Sequence, residues 1–351
     1  MGHMVGCPHS AYHFFLGPDF QIHLYRLLIA MSRRSVVQAM IVALAMVAAA
    51  DVLIRRMASN SMPRQVMRTI ASSPPVIDVL GIGNSLMVAG FDPDAVEQIF
   101  RDAGRPCAAV NGGLGATGVI EHLALTRLAL SHHNVKTVIY GFFDQQMSAD
   151  LAGRNSDLIG NRSMLYYQEP QLTLRYARFD LFDRLSFQVC RSSALLRERS
   201  TIWTRVEGLR RMMGSVGMPP QETNSFGRRA DFALLEAPDT HIFVEACQKV
   251  IQAGDFLAAP VQEMLREARE HGAKVIVVEM PMHPDHVRRF YSEPVWRTFR
   301  ARTRAAVESA GAAYLDASAW IPDGHLFADP LHLSKEGGIQ FSRLLARRLI
   351  D

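Results

Sequence analysis

The sequence predicts an α/β domain built on a mostly parallel sheet with helices on both faces. Short, mostly apolar runs recur at Val76–Gly81, Pro106–Val110, Val135–Tyr140, Lys274–Met280 and Ala313–Asp316, the first, third and fourth of them rich in β-branched residues. Stretches of helical length and pattern lie between them, and this alternation is the mark of crossover-linked parallel strands. The apolar fraction of 48% is ample for a core on each face of such a sheet.

Taken in order, residues 1–30 read as an uncertain N-terminal extension, with a more convincing start at Met31. In residues 31–56, Arg33-Arg34 leads into Val36–Ala50, apolar except for Gln38, and Arg55-Arg56 follows. The run through Ile54 approaches the ~20 residues that cross a bilayer, although Asp51 falls within it. A membrane anchor is the first reading. A cleaved signal peptide fits Ala48-Ala49-Ala50, a twin-arginine export signal fits Ser32-Arg33-Arg34, and a buried core helix is the soluble alternative. The first three readings export the rest of the chain. Residues 57–75, polar and carrying Pro63, Pro74 and Pro75, read as a linker to a domain over 76–351.

Within that domain the first strand, from Val76, runs into Gly83-Asn84-Ser85. Asp92-Pro93-Asp94 then supplies an N-cap, a proline at the first helical position and an acidic first turn for a helix to Ala103. The second strand opens into the glycine-rich stretch Asn111–Gly118, ahead of a helix over Ile120–Ser131. The third strand ends in Gly141-Phe142-Phe143-Asp144. Residues 150–240 break the rhythm, with helical patches predicted at Phe179–Phe187 and Ile202–Met213, and read as an insertion that forms a lid or a docking surface. Helices over Ala258–His271 and Pro294–Ala310 flank the fourth strand, and a helix over Gly337–Leu349 closes the domain.

Composition narrows the function classes. The net charge of +4 comes from scattered basic residues, which suits solubility or an anionic surface and gives no nucleic-acid footprint. The four cysteines show no Cys-x-x-Cys spacing, so neither a zinc nor a redox motif is expected. One disulfide would suit an exported domain, with the pair left open.

Two short motifs carry chemistry. Ser85 falls on a strand-to-helix turn, where open α/β sheets place ligands, although an ordinary βα turn reads the same way. Near the other end, Asp329-Pro330-Leu331-His332 puts a carboxylate and an imidazole three residues apart on one loop. A serine hydroxyl is a weak nucleophile until a base takes its proton, and a carboxylate can hold that base in place. Ser85 is thus the candidate nucleophile, His332 the base and Asp329 its orienting group.

With Gly-Asn-Ser at one end and Asp-x-x-His at the other, the sequence resembles the SGNH (GDSL-like) hydrolase family over about Val76–Asp351, minus the insertion. The resemblance implies a flavodoxin-like three-layer α/β/α sandwich and an acyl-serine mechanism. It also implies oxyanion donors: the Ser85 N–H, and a glycine N–H from the second block, best matched by Gly115 with Gly113 as rival. The third block departs from the family. Phe143 stands where the family carries an asparagine donor, leaving Gln145, a residue of the insertion, or nothing to replace it.

Other candidates are weaker. His283 and His286 flank Asp285 just after a strand, but further metal ligands are lacking, and no metal or other cofactor is implied. Trp203, Trp296 and Trp320 suit core packing more than sugar stacking. An anchored protein of this family resembles exported proteins that work beside membrane-bound O-acyltransferases. The expectation is therefore an esterase or O-acyltransferase on acetyl esters of extracellular or cell-wall carbohydrate. Its site would face the periplasm or exterior, with a membrane O-acyltransferase as candidate partner. A lipase- or thioesterase-type carboxylesterase and a non-catalytic accessory protein are the alternatives.

Overall fold

A computed structural model describes residues 33–57, 61–115, 117–148, 168–177, 179–198, 202, 223–224, 227–228 and 240–351. The chain divides into two units, Met1–Arg56 and Met57–Asp351. In the first, helix α1 (Arg33–Met57) exposes Met40, Ile41, Leu44, Met46 and Leu53. Its segment Arg34–Arg56 contains an 18-residue window with a mean hydropathy of 2.3 and is long and apolar enough to cross a membrane. Asp51 accepts from Arg55 at 2.8 Å, so the acidic residue within the apolar run is paired one turn from the helix end.

The second unit is built on five parallel strands: β1 (Val76–Gly83), β2 (Ala109–Asn111), β3 (Asn134–Phe142), β4 (Lys274–Glu279) and β5 (Ala313–Asp316). Their order is β2-β1-β3-β4-β5, which is the flavodoxin-like arrangement. The register pairs Ile82 with Tyr140 and Tyr140 with Val277. All five strands therefore end at one edge.

Each face of the sheet has its own core. On one side Ile77, Ile82, Tyr140 and Val277 pack with α5 (Val119–His132) and α10 (Ala259–Glu270). On the other, Val79, Ile139, Ile276 and Val278 pack with α3 (Ser85–Gly90), α4 (Pro93–Asp102), α11 (Pro294–Ser309) and α12 (Lys335–Ile350). Burial on both faces explains why the strands read as continuous apolar runs. This is the three-layer α/β/α sandwich expected from the family resemblance.

Several boundaries differ from the sequence reading. Within the stretch read as a linker, α2 (Met62–Ala71) is helical and its Ile70 is fully buried in the core beside α5. Strand β2 begins later than Pro106, because the Ala108 and Ala109 N–H groups donate to the side chains of Asp78 and Glu97. The insertion contributes α6 (Pro170–Tyr176), α7 (Leu181–Ser192) and a short turn α8 (Ala194–Arg197), and α9 (Thr240–Ala253) follows where it ends. Tyr176 and Arg175 of α6 both donate to Glu263 of α10, which pins this part of the insertion to the sheet's helical layer. The patch expected at Ile202–Met213 lies outside the described residues except for Ile202. Cys107 and Cys247 carry free thiols.

Helix α12 reaches α3 without intervening side chains. A Cβ placed on Gly338 would fall on the Ala89 carbonyl oxygen. Ser342 on the same helix donates to Gly90 O at 2.8 Å and accepts from Asp92 N–H at 2.7 Å, tying the end of α3 to the start of α4. Because backbone cannot yield as a side chain can, Gly338→Ala is expected to cost about 1–3 kcal/mol, read as a lowered Tm. A thermal melt equal to wild type would show that the two helices can part freely.

Candidate active site

Ser85 opens α3 directly after β1. Its neighbour Asn84 caps the helix by accepting from Leu86 N–H at 2.8 Å. The strand end lies close to β3: a Cβ on Gly83 would sit 2.7 Å from the Gly141 carbonyl oxygen. Gly141 is equally tight, its Cβ position lying 2.8 Å from Met280 Sδ. Together these glycines let β1, β3 and α3 converge beneath the serine.

The C-terminal loop brings in the imidazole of His332. Leu333 bridges to Phe327, Ala328 N–H donates to His332 O at 2.8 Å, and Ser334 N–H donates to Leu326 O at 2.8 Å. Within this closed loop Asp329 Oδ1 accepts from the Leu331 and His332 N–H groups, each at 2.8 Å. Asp329 Oδ2 lies 2.7 Å from His332 Nδ1, and His332 Nε2 lies 2.8 Å from Ser85 Oγ. The three residues thus form one hydrogen-bonded run, half-buried, across 247 positions of sequence. Burial works against ionising Asp329, but the bonds from the His332 ring and the two N–H groups outweigh it and hold the carboxyl below its ordinary range. A carboxylate kept charged in this way fixes the imidazole and stabilises it once it takes a proton.

The glycine-rich stretch after β2 separates the two oxyanion candidates. Gly113 N–H donates to Asn111 Oδ1 at 2.8 Å, so that donor is already committed. Gly115 faces the serine: a Cβ built on it would lie 3.8 Å from Ser85 Cβ, with nothing nearer. Among the described residues, neither the Gly115 nor the Ser85 N–H has an acceptor. Gln145 does not supply the absent third donor. Its amide is buried and donates to Cys247 Sγ at 2.7 Å, because the turn after β3 swings it under α9. Phe143 is half-buried against the apolar core of that face.

Asn111 is a residue whose role the sequence did not announce. While its oxygen holds Gly113, its amide nitrogen donates to Met87 O at 3.1 Å and to Phe91 O at 2.6 Å. One side chain thereby joins the glycine-rich loop to the helix that carries Ser85. An asparagine two residues before a glycine at a strand end is an Asx-turn signal, which could have been read. His122 was equally hidden. It is fully buried on α5, with Nδ1 3.1 Å from the Tyr140 hydroxyl and Nε2 3.1 Å from Thr117 Oγ1. A lone histidine inside Val119–Leu130, a helix otherwise largely apolar, was its only trace.

The two histidines after β4 go separate ways. His283 accepts from Asp285 N–H at 3.2 Å, while His286 Nε2 lies 3.1 Å from Asp144 Oδ1, which also accepts from Tyr291 at 2.8 Å. Asp144 adopts a positive φ of 44°. Trp296 is fully buried, stacked on Tyr291 at 4.3 Å, and Trp320 packs near Phe341. Trp203 lies outside the described residues.

The chain is similar in structure to several solved proteins. They include a lipase/acylhydrolase from Enterococcus faecalis, with 13% identity, a TM-score of 0.38, and coverage of 78% of this chain and 95% of that one. The acetylxylan esterase Axe2 from Geobacillus stearothermophilus shows 10% identity, a TM-score of 0.37, and coverage of 80% and 95%. The psychrotrophic esterase EstA from Pseudoalteromonas sp. shows 9% identity, a TM-score of 0.36, and coverage of 79% and 98%. Such a likeness is one of overall fold and bears on no residue's role. No protein-family model matches the sequence, and no curated protein sequence matches it.

Burial gives the site's surroundings a pH signature. Desolvation lowers the His122 pKa from 6.5 to about 3 and also lowers that of His283. Groups that bind protons more readily when unfolded withdraw stability as pH falls from about 6.5 towards their folded values. Between pH 7 and 5 these histidines therefore withdraw stability, while Glu279, whose carboxyl burial pushes up to about 7, adds it in both proteins. Relative to wild type, His122→Gln is expected to gain Tm on acidification over that range. Parallel curves for the two proteins would contradict the buried, neutral imidazole.

Proposed function

We propose that the chain is a serine esterase or O-acyltransferase that works through an acyl-serine at Ser85. The observation that carries this reading is the hydrogen-bonded run from Ser85 Oγ through His332 to Asp329, anchored on backbone N–H groups. In the first step Ser85 Oγ attacks an ester carbonyl and its proton passes to His332 Nε2. The Ser85 and Gly115 N–H groups receive the oxyanion. Collapse breaks the ester C–O bond, and the departing alkoxide takes the proton from His332. The acyl group then passes from Ser85 to water, giving hydrolysis, or to a hydroxyl, giving transfer, with His332 again accepting the proton.

The apolar helix α1 supports an exported protein held at a membrane, with its second unit on the periplasmic or extracellular side. An extracellular acyl enzyme of this kind suits acetyl esters of carbohydrate, next to a membrane-bound O-acyltransferase that supplies or shares the acyl group. The apolar Phe143 at the third block favours a second reading, a non-catalytic accessory protein of such an acyltransferase.

Hydrolysis of a chromogenic acetyl ester by the full-length chain decides between them. Wild type is expected to turn over and to be labelled by a serine-directed fluorophosphonate. Ser85→Ala should abolish labelling and lower kcat by on the order of 10⁵-fold or more. Asp329→Asn should keep the fold and lower kcat by about 10³–10⁴-fold, since the imidazole loses its orienting charge. A folded wild type that shows neither turnover nor labelling would leave the accessory reading in place.

A further inference from the structure

The Gly115 N–H belongs to the same peptide unit as the Leu114 carbonyl. That unit is planar and trans, so the direction of the carbonyl sets the direction of the N–H, which points the opposite way. Leu114 O accepts from the Thr117 hydroxyl at 2.5 Å. Having given its one proton there, Thr117 Oγ1 can only accept from His122 Nε2, 3.1 Å away, and the imidazole must carry its proton on Nε2. Nδ1 is then an acceptor, and the Tyr140 hydroxyl 3.1 Å from it is the donor. The hydrogen bonds run in one direction: Tyr140 to His122, His122 to Thr117, Thr117 to Leu114 O.

Both ends of this relay are rigid. Tyr140 lies in the middle of the sheet, paired with Ile82 and Val277 and fully buried. His122 is fully buried on α5, and Thr126 Oγ1 closes on its carbonyl at 2.8 Å. At the loop end, Leu114 N–H donates to Gly83 O at 3.0 Å, and Gly118 N–H donates to Glu121 Oε2 at 2.6 Å. The loop is therefore tied on both sides of Gly115. Chains of hydrogen bonds polarise one another in a low dielectric, and a carbonyl that accepts one makes its own peptide N–H a stronger donor.

We propose that Tyr140, His122 and Thr117 are positioning residues that orient the Leu114–Gly115 peptide, so that its N–H faces the oxyanion formed at Ser85. The proposal rests on the acyl-serine reading above. None of the three side chains touches the reacting atoms; each acts through the next, and the last acts through the peptide. Burial keeps the imidazole neutral, as a relay with one proton per link requires.

Thr117→Val removes the donor to Leu114 O at nearly constant volume, and Thr117→Ser restores it. The full-length chain labelled with ¹³C′-leucine and ¹⁵N-glycine reports only Leu–Gly pairs, of which the sequence has three: Leu16-Gly17, Leu80-Gly81 and Leu114-Gly115. Gly115→Ala assigns the third signal by removing it. The expected result is that Thr117→Val moves the Gly115 amide resonance and leaves that of Gly81 in place. The same variant should lower kcat on the acetyl ester about tenfold with KM unchanged, less than the 10²–10³-fold that follows outright loss of an oxyanion donor. Thr117→Ser should recover both readouts. An unmoved Gly115 resonance with wild-type kcat in Thr117→Val, while Ser85 is still labelled by the fluorophosphonate, would overturn the relay and leave the acyl-serine reading standing. Absence of labelling in the folded wild type would overturn both.

Discussion

Helix α12 lies against α3 backbone to backbone, and the geometry of the site depends on that contact. Ser85 opens α3, while the loop carrying Asp329 and His332 ends at the first turn of α12. The imidazole can reach the serine only if the two helices approach more closely than any side chain at Gly338 would permit. Ser342 then replaces what a side-chain layer would have supplied, bonding both Gly90 O and Asp92 N–H. Ser85, His332 and Asp329 are ordinary residues. What brings them within 2.8 Å is a helix crossing stripped of side chains.

A parallel sheet puts all its strand ends on one edge, and each end here supplies something different. The end of β1 gives Ser85, and β2 leads to the loop with Gly115. The turn after β3 gives Asp144, which stays engaged with His286 and Tyr291. The loop beyond β5 gives Asp329 and His332. Asn111 binds the first two ends together, since its amide and oxygen reach α3 and the glycine loop at once. A half-buried asparagine with every side-chain polar atom engaged fixes one arrangement, because any shift would strand a donor or acceptor.

Much of this was legible from short stretches of sequence. The β-branched runs marked β1, β3 and β4, Asp92-Pro93 marked the start of α4, and Asp-x-x-His lies on one loop because three residues suffice to close it. What could not be read was the product of long-range packing. Met62, Val66, Met67 and Ile70 carry a helical apolar spacing, but Pro63 and the polar residues among them read as linker until Ile70 is seen buried beside α5. Gln145 follows the departed asparagine position closely in sequence, yet the turn after β3 carries its amide to Cys247. Nothing local to residues 141–145 encodes that direction. The meeting of Tyr140, His122 and Thr117 is similar: a strand, a helix and a loop each contribute one residue, and no spacing rule connects them.

Phe143, at the position where the family resemblance implies an asparagine donor, gives these hidden contacts their weight. Under the acyl-serine reading, a family site with three donors tolerates some looseness in any one of them. With an apolar ring at the third position, the described residues offer the oxyanion two backbone N–H groups, those of Ser85 and Gly115. Backbone donors have no rotamers to lose, but they serve only if the peptide planes are held, and a glycine-rich loop is the least self-supporting backbone available. The Ser85 plane is held by the start of α3 and its Asn84 cap. The Gly115 plane has no helix of its own, so its orientation must come from outside the loop. A neutral buried imidazole between a central-strand tyrosine and a threonine hydroxyl supplies that support without placing a competing charge near the oxyanion.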